Sequence, residues 1–531
     1  MKSPQYNLLD EPWLPVRLAD GSVRSLGLLE VMRRSGDITA LAETEPPSLI
    51  AEYRLLLAIV HRALVRSRGS WKDSDRVKWF REGLPVEDVC SYLETWRERF
   101  WLFHPEHPFM QVAALATAEE TRDKRKPWTQ VSLASPTGNN PVLFEHVIDE
   151  APGAVPAPRA FAHMLGYLQF TASGLVKCLR AGADKAGPLV NAAAVLPIGS
   201  TLGQTLVLAL HEAPSSGQIV GDLPAWEQAA PAMATLSGDA ILATGANDRY
   251  TRLTRAVLLE QLEDGAVAWI RFSEGIQLEE DEQAPDPMVC FRMGQKSLVK
   301  VGFDDGRDSW RDLPSLLPFP ADGYAPAAVM QSAARLARSL GNAAQCAVLV
   351  GGVVGEPGKM KLLRWRLEQF PLPQALLAVP DRARELRVHM ALAEDLHRSL
   401  RSLTTDLVAG TLPDPKSKDT RSRARELVER GPFTATYFAA AERELWALME
   451  CIAADDSDAA NALWQRTLAD AARLAWRRLL GLLGASARVL QAEARCASRL
   501  NHLLRQQLPA AHAPVHTPAT VETVTQPLQG A

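Results

Sequence analysis

Apolar residues recur at steps of three to four from Leu49 to Arg66, where Ile50, Tyr53, Leu57 and Val60 fall on one stripe, a period that predicts a helix. Around it, up to about residue 368, short β-rich runs alternate with helical stretches and are broken by Pro and Gly, as in VVGEPG and APDPMVCFR. This texture predicts a large irregular α+β domain over residues 1–368. From about Leu376 the pattern changes. Segments 380–408, 433–455, 458–483 and 485–507 read as long helices rich in Ala, Leu, Arg and Glu. In the third, Trp464, Leu468, Ala471, Ala475 and Leu479 share one face. Four such segments with short joints predict an antiparallel four-helix bundle over 369–508. The longest joint, Leu412 to Arg425, carries Pro with clustered Lys and Arg and is expected to be a mobile loop. Beyond Leu508 the bias toward Pro, Ala, Thr and Gln cannot build a core, so 509–531 is expected to be a disordered tail.

With 531 residues and 47% hydrophobic content the chain can bury a large core in more than one domain. A formal net charge of -4 argues against a stand-alone nucleic-acid binder, which is usually basic overall. Nucleic-acid contact must then come from local patches or be shared with basic partners. Two patches qualify. Arg466, Arg473, Arg477, Arg478, Arg488, Arg495, Arg499 and Arg505 face only Asp470 and Glu493 over the last two predicted helices, and RDKRK spans Arg122 to Lys126. Each is a solvated face or a track for phosphates or an acidic surface. Six scattered cysteines form no CxxC pair, so neither zinc nor disulfides are expected. The N-terminus lacks a signal-peptide apolar run and no stretch reaches 18 apolar residues, which predicts a soluble cytoplasmic protein with no membrane contact.

Catalytic signatures are missing. His104, Glu106 and His107 suggest a metal site, but Pro105 and Pro108 forbid the helix on which paired zinc histidines lie one turn apart. A turn that positions Phe109 and Met110 for packing fits better. GGVVGEPGKMK, from Gly351 to Lys361, approaches a phosphate loop, yet Val353 and Met360 replace the turn glycine and the magnesium-binding hydroxyl. No nucleophile elbow or dinucleotide fingerprint occurs, and no enzyme activity, cofactor or metal is expected.

The run Ser135 to Asp149, SPTGNNPVLFEHVID, reads as an extended, proline-stiffened loop: Gly138, Asn139 and Asn140 favour turns, Pro141 removes a donor, and Leu143 and Phe144 are apolar anchors. With HPEHPFMQV from His104 to Val112, NLLDEPWLPV from Asn7 to Val16, DRYTRLTRAVLL from Asp248 to Leu259 and LRWRLEQFPLPQALL from Leu363 to Leu377, it resembles the CasA family, the large subunit of the type I-E CRISPR surveillance complex Cascade. The similarity runs over roughly residues 5–505.

That resemblance implies a non-enzymatic subunit with several partners: the other Cascade subunits, a guide crRNA with its 5′ handle, double-stranded target DNA, and a transiently recruited helicase-nuclease. It implies that the Ser135 to Asp149 loop docks near the guide handle through Asn139, Asn140, Phe144 and His146. It implies a wedge at the PAM, where the family's glutamine is replaced by Lys359, flanked by Gly358 and Met360. A lysine stem can wedge and its ammonium can catch a phosphate, but it lacks the amide's acceptor. A basic minor-groove residue is implied at Arg255, or failing that Arg252, where an arginine reads shape and acceptors. A glycine-rich loop against the PAM backbone is implied near Gly182 and Lys185, although adjacent glycines are absent. These departures keep open a second reading, an assembly or recruitment scaffold without PAM discrimination. A metal-dependent hydrolase built on His104 and His107 ranks last.

Overall fold

The computed structural model describes residues 3–135, 149–212, 221–304, 306–341, 346–355 and 362–512. The chain is α+β and divides into two compact units, Met1–Arg384 and Glu385–Ala531, with the boundary inside the helix Pro380–Thr411.

The first unit is organised on the helix Pro46–Arg68. Pro46 and Pro47 occupy its first turn, where no intrahelical N–H is needed, and Gly69 ends it at φ 73°. The one-stripe pattern understated its environment: every residue from Pro46 to Val65 is buried. Such a helix must also bury its polar residues, which then need internal partners. The guanidinium of Arg54 donates to both carboxylate oxygens of Asp286, at 3.2 and 2.7 Å, and lies 4.4 Å from the centre of the Tyr250 ring. Burial alone would raise the Asp286 pKa; Arg54, helped by Arg249, outweighs it and holds the carboxyl below its ordinary value. Arg62 likewise donates to both oxygens of Glu227, which also accepts from the Tyr92 hydroxyl.

Small sheets surround this helix. Leu14–Leu18 pairs antiparallel with Val23–Leu26 and Ile38–Leu41. Cys346–Gly355 lies between Ala194–Ile198 and Leu362–Leu372, both antiparallel to it. GGVVG, the start of the phosphate-loop look-alike, is thus extended strand, and a Cβ on Gly352 would stand 2.8 Å from the carbonyl of Ala192. The hairpin Arg255–Gln261 and Ala266–Glu274 is extended by Lys126–Pro127 and Val155–Pro156. The His104 turn is structural: its Nδ1 accepts from the backbone N–H groups of Glu106 and His107, and Phe109 and Met110 are buried. The six cysteines are free, with burial pushing Cys290 up to about 12 and Cys346 to about 11.

In the second unit the helices are Pro380–Thr411, Lys418–Arg430, Phe433–Glu442, Leu445–Ala453, Ser457–Leu483 and Ala487–Gln507. The joint expected to be a mobile loop is therefore mostly the helix Lys418–Arg430, with Ser417 as its cap. The expected helix 433–455 breaks after Glu442 into two. Trp464 Nε1 donates to the carbonyl of His389 at 2.7 Å and the Tyr437 hydroxyl to that of Ala393 at 3.0 Å. Gln507 reaches Ser399 and Arg499 reaches Asp406, so Ala487–Gln507 runs antiparallel to Pro380–Thr411. The first residues of the expected tail are ordered: Pro509–His512 is a short helical turn whose Ala510 N–H donates to Gln465, and residues 513–531 lie outside the described residues. No helix among the described residues is long and apolar enough to cross a membrane.

Breaking a buried ion pair strands one charge, so Arg54→Ala is expected to destabilise the chain by about 3–5 kcal/mol in urea unfolding. Replacing both partners, Arg54→Met with Asp286→Leu, is expected to cost much less. Equal losses from the single and double replacements would contradict this account.

Candidate nucleic-acid interface

The hairpin Arg255–Gln261 and Ala266–Glu274 sets its register so that Arg255 stands opposite Glu274 at the same end. Both side chains are buried, and together they hold the loop Thr171 to Gly187. The Glu274 carboxylate accepts from three consecutive backbone N–H groups, those of Cys178, Leu179 and Arg180, at 2.9, 2.9 and 3.2 Å. Burial works to raise the Glu274 pKa, but these backbone donors outweigh it and keep the group ionised below its ordinary value. Arg255 serves the other side of the loop. Its guanidinium donates to the carbonyls of Lys185 and Ala172, each at 3.1 Å, and of Thr254 at 2.7 Å, and stands 3.4 Å from the Asp184 carboxylate.

Asp184 closes the arrangement. Its backbone bridges to Gly174 through two hydrogen bonds, of 2.8 and 3.1 Å, and its carboxylate also accepts from Arg180. Burial dominates at this carboxyl and raises its pKa despite Arg255 and Arg180. Two glycines are required sterically. A Cβ on Gly275 would lie 2.3 Å from the Leu253 carbonyl, and one on Gly187 would lie 2.6 Å from that of Gln169.

Beside this loop is a cavity of about 810 Å³ lined by Lys124, Lys126, Lys177, Gln130, Tyr167 and Phe272 among others. Lys124, Lys126 and Lys177 are exposed, and among the described residues none has a carboxylate partner. Their RDKRK neighbours Arg122 and Arg125 pair with Asp123 and Glu260. The lining reaches Ser135, at the root of the run Ser135 to Asp149. Three cations, apolar ring surfaces and hydroxyls around one open cavity can hold a polyanion backbone while contacting bases or sugars.

The structure thus brings Arg255, Gly182 and Lys185 into one neighbourhood and leaves Arg252 outside it. As it stands Arg255 is buried, with its guanidinium hydrogen-bonded to the carbonyls of Lys185, Ala172 and Thr254. Arg252 is buried too, bonded to Asp248 and to the carbonyls of Ile241 and Leu242. Gly182 is exposed with open space where a Cβ would sit, so the fold itself does not demand glycine there. Lys185 is half exposed and pairs with Glu279. Asn139, Asn140, Phe144, His146, Gly358, Lys359 and Met360 lie outside the described residues. Sequence reasoning missed Glu274, Asp184 and Arg180, whose contacts reach across long chain separations, and Lys177, which the course of the loop brings to the cavity. Only the basic run at Arg122 to Lys126 signalled the cavity.

The profile of the CRISPR-associated protein Cse1 family matches residues 7–475. The chain belongs to the Cse1 family. A curated Cse1 relative, the CRISPR-associated protein CasA/Cse1 of Thermus thermophilus, is 31% identical over 512 residues, covering 94% of this chain and 97% of the relative. The solved structure of Thermus thermophilus CasA (Cse1) matches with a TM-score of 0.81 at 28% identity, covering 95% of this chain and all of that one. A chain of a solved CRISPR RNA-guided surveillance complex shares the fold at a TM-score of 0.73 and 21% identity, covering 94% of this chain and 100% of its own length.

In this Cse1 chain Glu274→Ala removes the acceptor of three N–H groups. Hydrogen exchange over residues 178–180 is expected to accelerate at least tenfold, about 1.4 kcal/mol of local opening, with Glu274→Gln intermediate. Unchanged exchange in the alanine variant would show that the loop is held by other means.

Proposed function

We propose that this chain is the non-enzymatic large subunit of a type I-E Cascade, which engages PAM-bearing duplex DNA and promotes local strand opening so that guide RNA pairs with the target strand. Family membership supports the assembly, and the observation that carries the DNA reading is the lysine-lined cavity beside the loop that Glu274 and Arg255 hold in shape. In this reading Lys124, Lys126 and Lys177 bind phosphates, and the backbone of the loop near Gly182 and Lys185 approaches the duplex. Arg255 acts by holding that loop. Lys359, which the sequence carries after the strand Cys346–Gly355 and before Leu362–Leu372, supplies the wedge in this reading together with Gly358 and Met360. Asn139, Asn140, Phe144 and His146 dock against the guide's 5′ handle and the other subunits. The long C-terminal helices form the bundle surface offered to the recruited helicase-nuclease.

Energetically, the wedge is needed only to start. Unstacking one base step costs on the order of a few kcal/mol, whereas the later exchange of DNA pairs for RNA–DNA pairs is near-balanced. A few contacts at the opening point therefore control the rate. A second reading, a scaffold without PAM discrimination, is favoured by the open space at Gly182 and the burial of Arg255.

In a reconstituted complex, alanine at Lys124, Lys126 and Lys177 together is expected to weaken binding to PAM duplexes. The slope of log affinity against log salt concentration is expected to become shallower by about 0.9 for each phosphate that the variant no longer neutralises. Lys359→Ala is expected to slow R-loop formation on matched DNA while assembly stays intact. An unaltered salt slope and unaltered R-loop kinetics would remove the DNA reading. Equal binding of PAM and non-PAM duplexes by the unmodified complex would favour the scaffold.

A further inference from the structure

A second cluster lies away from the cavity and plays no part in the DNA reading. His61 on the helix Pro46–Arg68, His211 and Asp222 present ligand atoms all within 4.8 Å of one another. Among the described residues neither buried ring nitrogen of His211 has a hydrogen-bond partner, while its ring stacks on that of His61 at 3.7 Å. An orphaned buried donor or acceptor costs about 1–3 kcal/mol, and such groups in native proteins usually mark a water or an ion. Asp222 is held in place: its oxygens accept from the backbone N–H groups of Asn247 at 3.1 Å and Asp248 at 2.9 Å, leaving lone pairs to spare. Gly245 makes room for it, since a Cβ there would come within 2.3 Å of the carboxylate carbon.

We propose that His61, His211 and Asp222 form a structural site for a borderline divalent transition-metal ion, zinc being the expected occupant, with a water as fourth ligand. Two imidazoles and one carboxylate are the donor set such ions take. His61 currently faces the Glu212 carbonyl through Nε2 at 3.0 Å and the Asn247 amide nitrogen through Nδ1 at 2.9 Å, while Asn247 Oδ1 is buried and unbonded. Binding through Nε2 requires His61 to give up its contact to the Glu212 carbonyl, and the Nδ1–H tautomer then needs the Asn247 Oδ1 turned toward the ring, at the loss of the amide's 3.4 Å contact to the Asp222 carbonyl. Asn247 then fixes the ring's tautomer and orientation from behind, as outer partners of ligating histidines commonly do. Stacked rings point their lone pairs in parallel, so loading also rotates His211 about its Cβ–Cγ bond, a torsion with broad wells. The ion would tie the central helix to the segments that carry His211 and Asp222.

The test uses the full chain, stripped with chelator, desalted and titrated separately with Zn²⁺ and Co²⁺. The site predicts one tightly held ion per chain, a rise in Tm with zinc, and the visible d–d absorption of four-coordinate cobalt. His211→Gln and Asp222→Asn are each expected to weaken binding at least tenfold, and Asn247→Leu by about 10–100-fold. A His104→Gln/His107→Gln variant is expected to bind as the parent does. Circular dichroism checks that each variant folds, and binding is compared with each variant's own metal-free Tm, because His211→Gln breaks no existing hydrogen bond but loses the ring contacts to His61 and Tyr250. The absence of saturable binding, or binding indifferent to His211→Gln and Asp222→Asn, would overturn the proposal and leave a buried water at His211.

Discussion

A buried ion must find its partners inside the protein, and at one end of the Arg255–Gln261 hairpin that constraint shapes the candidate interface. Glu274 and Arg255 are cross-strand neighbours of opposite charge, yet each spends its bonding on the same loop. The carboxylate gathers N–H groups at residues 178–180, and the guanidinium gathers carbonyls at Ala172 and Lys185. A loop with little regular structure has no ladder to satisfy its backbone. Here two side chains substitute for the ladder, which fixes the loop's root and leaves Leu175 and Lys177 exposed beside the cavity.

The same rule governs the core of the first unit. A helix buried along nearly its whole length gains much apolar contact, but it also carries Arg54 and Arg62 inward. Each is matched by a carboxylate far away in sequence, Asp286 and Glu227. These pairs are weak evidence of added stability and better understood as a constraint on assembly: the packing that buries one partner must bring the other. Glu52 shows the alternative. Among the described residues its carboxyl oxygens have no hydrogen-bond partner, and burial, with Glu43 nearby, pushes its pKa well above the ordinary value.

Periodicity made the helices legible. The stripe from Leu49 to Arg66 and the face from Trp464 to Leu479 both lie in long helices, because a helix writes its burial into local spacing. The small sheets were legible only as texture, since their strands are short and pair across long separations. The helix Lys418–Arg430 was hidden because its composition is polar and charged, with only Ala424 and Val428 buried. At the candidate site, motif similarity found the neighbourhood of Arg255 but misjudged its state, because nothing in DRYTRLTRAVLL says whether an arginine faces solvent or a carbonyl. Glu274 and Asp184 have no sequence signature: an acid that collects backbone N–H groups is defined by where the chain returns.

Duplex DNA is proposed to meet this Cse1 chain at the cavity lined by Lys124, Lys126 and Lys177, beside the Thr171 to Gly187 loop. An electron cryo-microscopy structure of the reconstituted complex bound to a PAM-bearing duplex tests it most directly. The account predicts phosphate density within hydrogen-bond reach of those lysines, with Glu274 and Arg255 still holding the loop. A duplex seated elsewhere, with the cavity filled by another subunit, would contradict it.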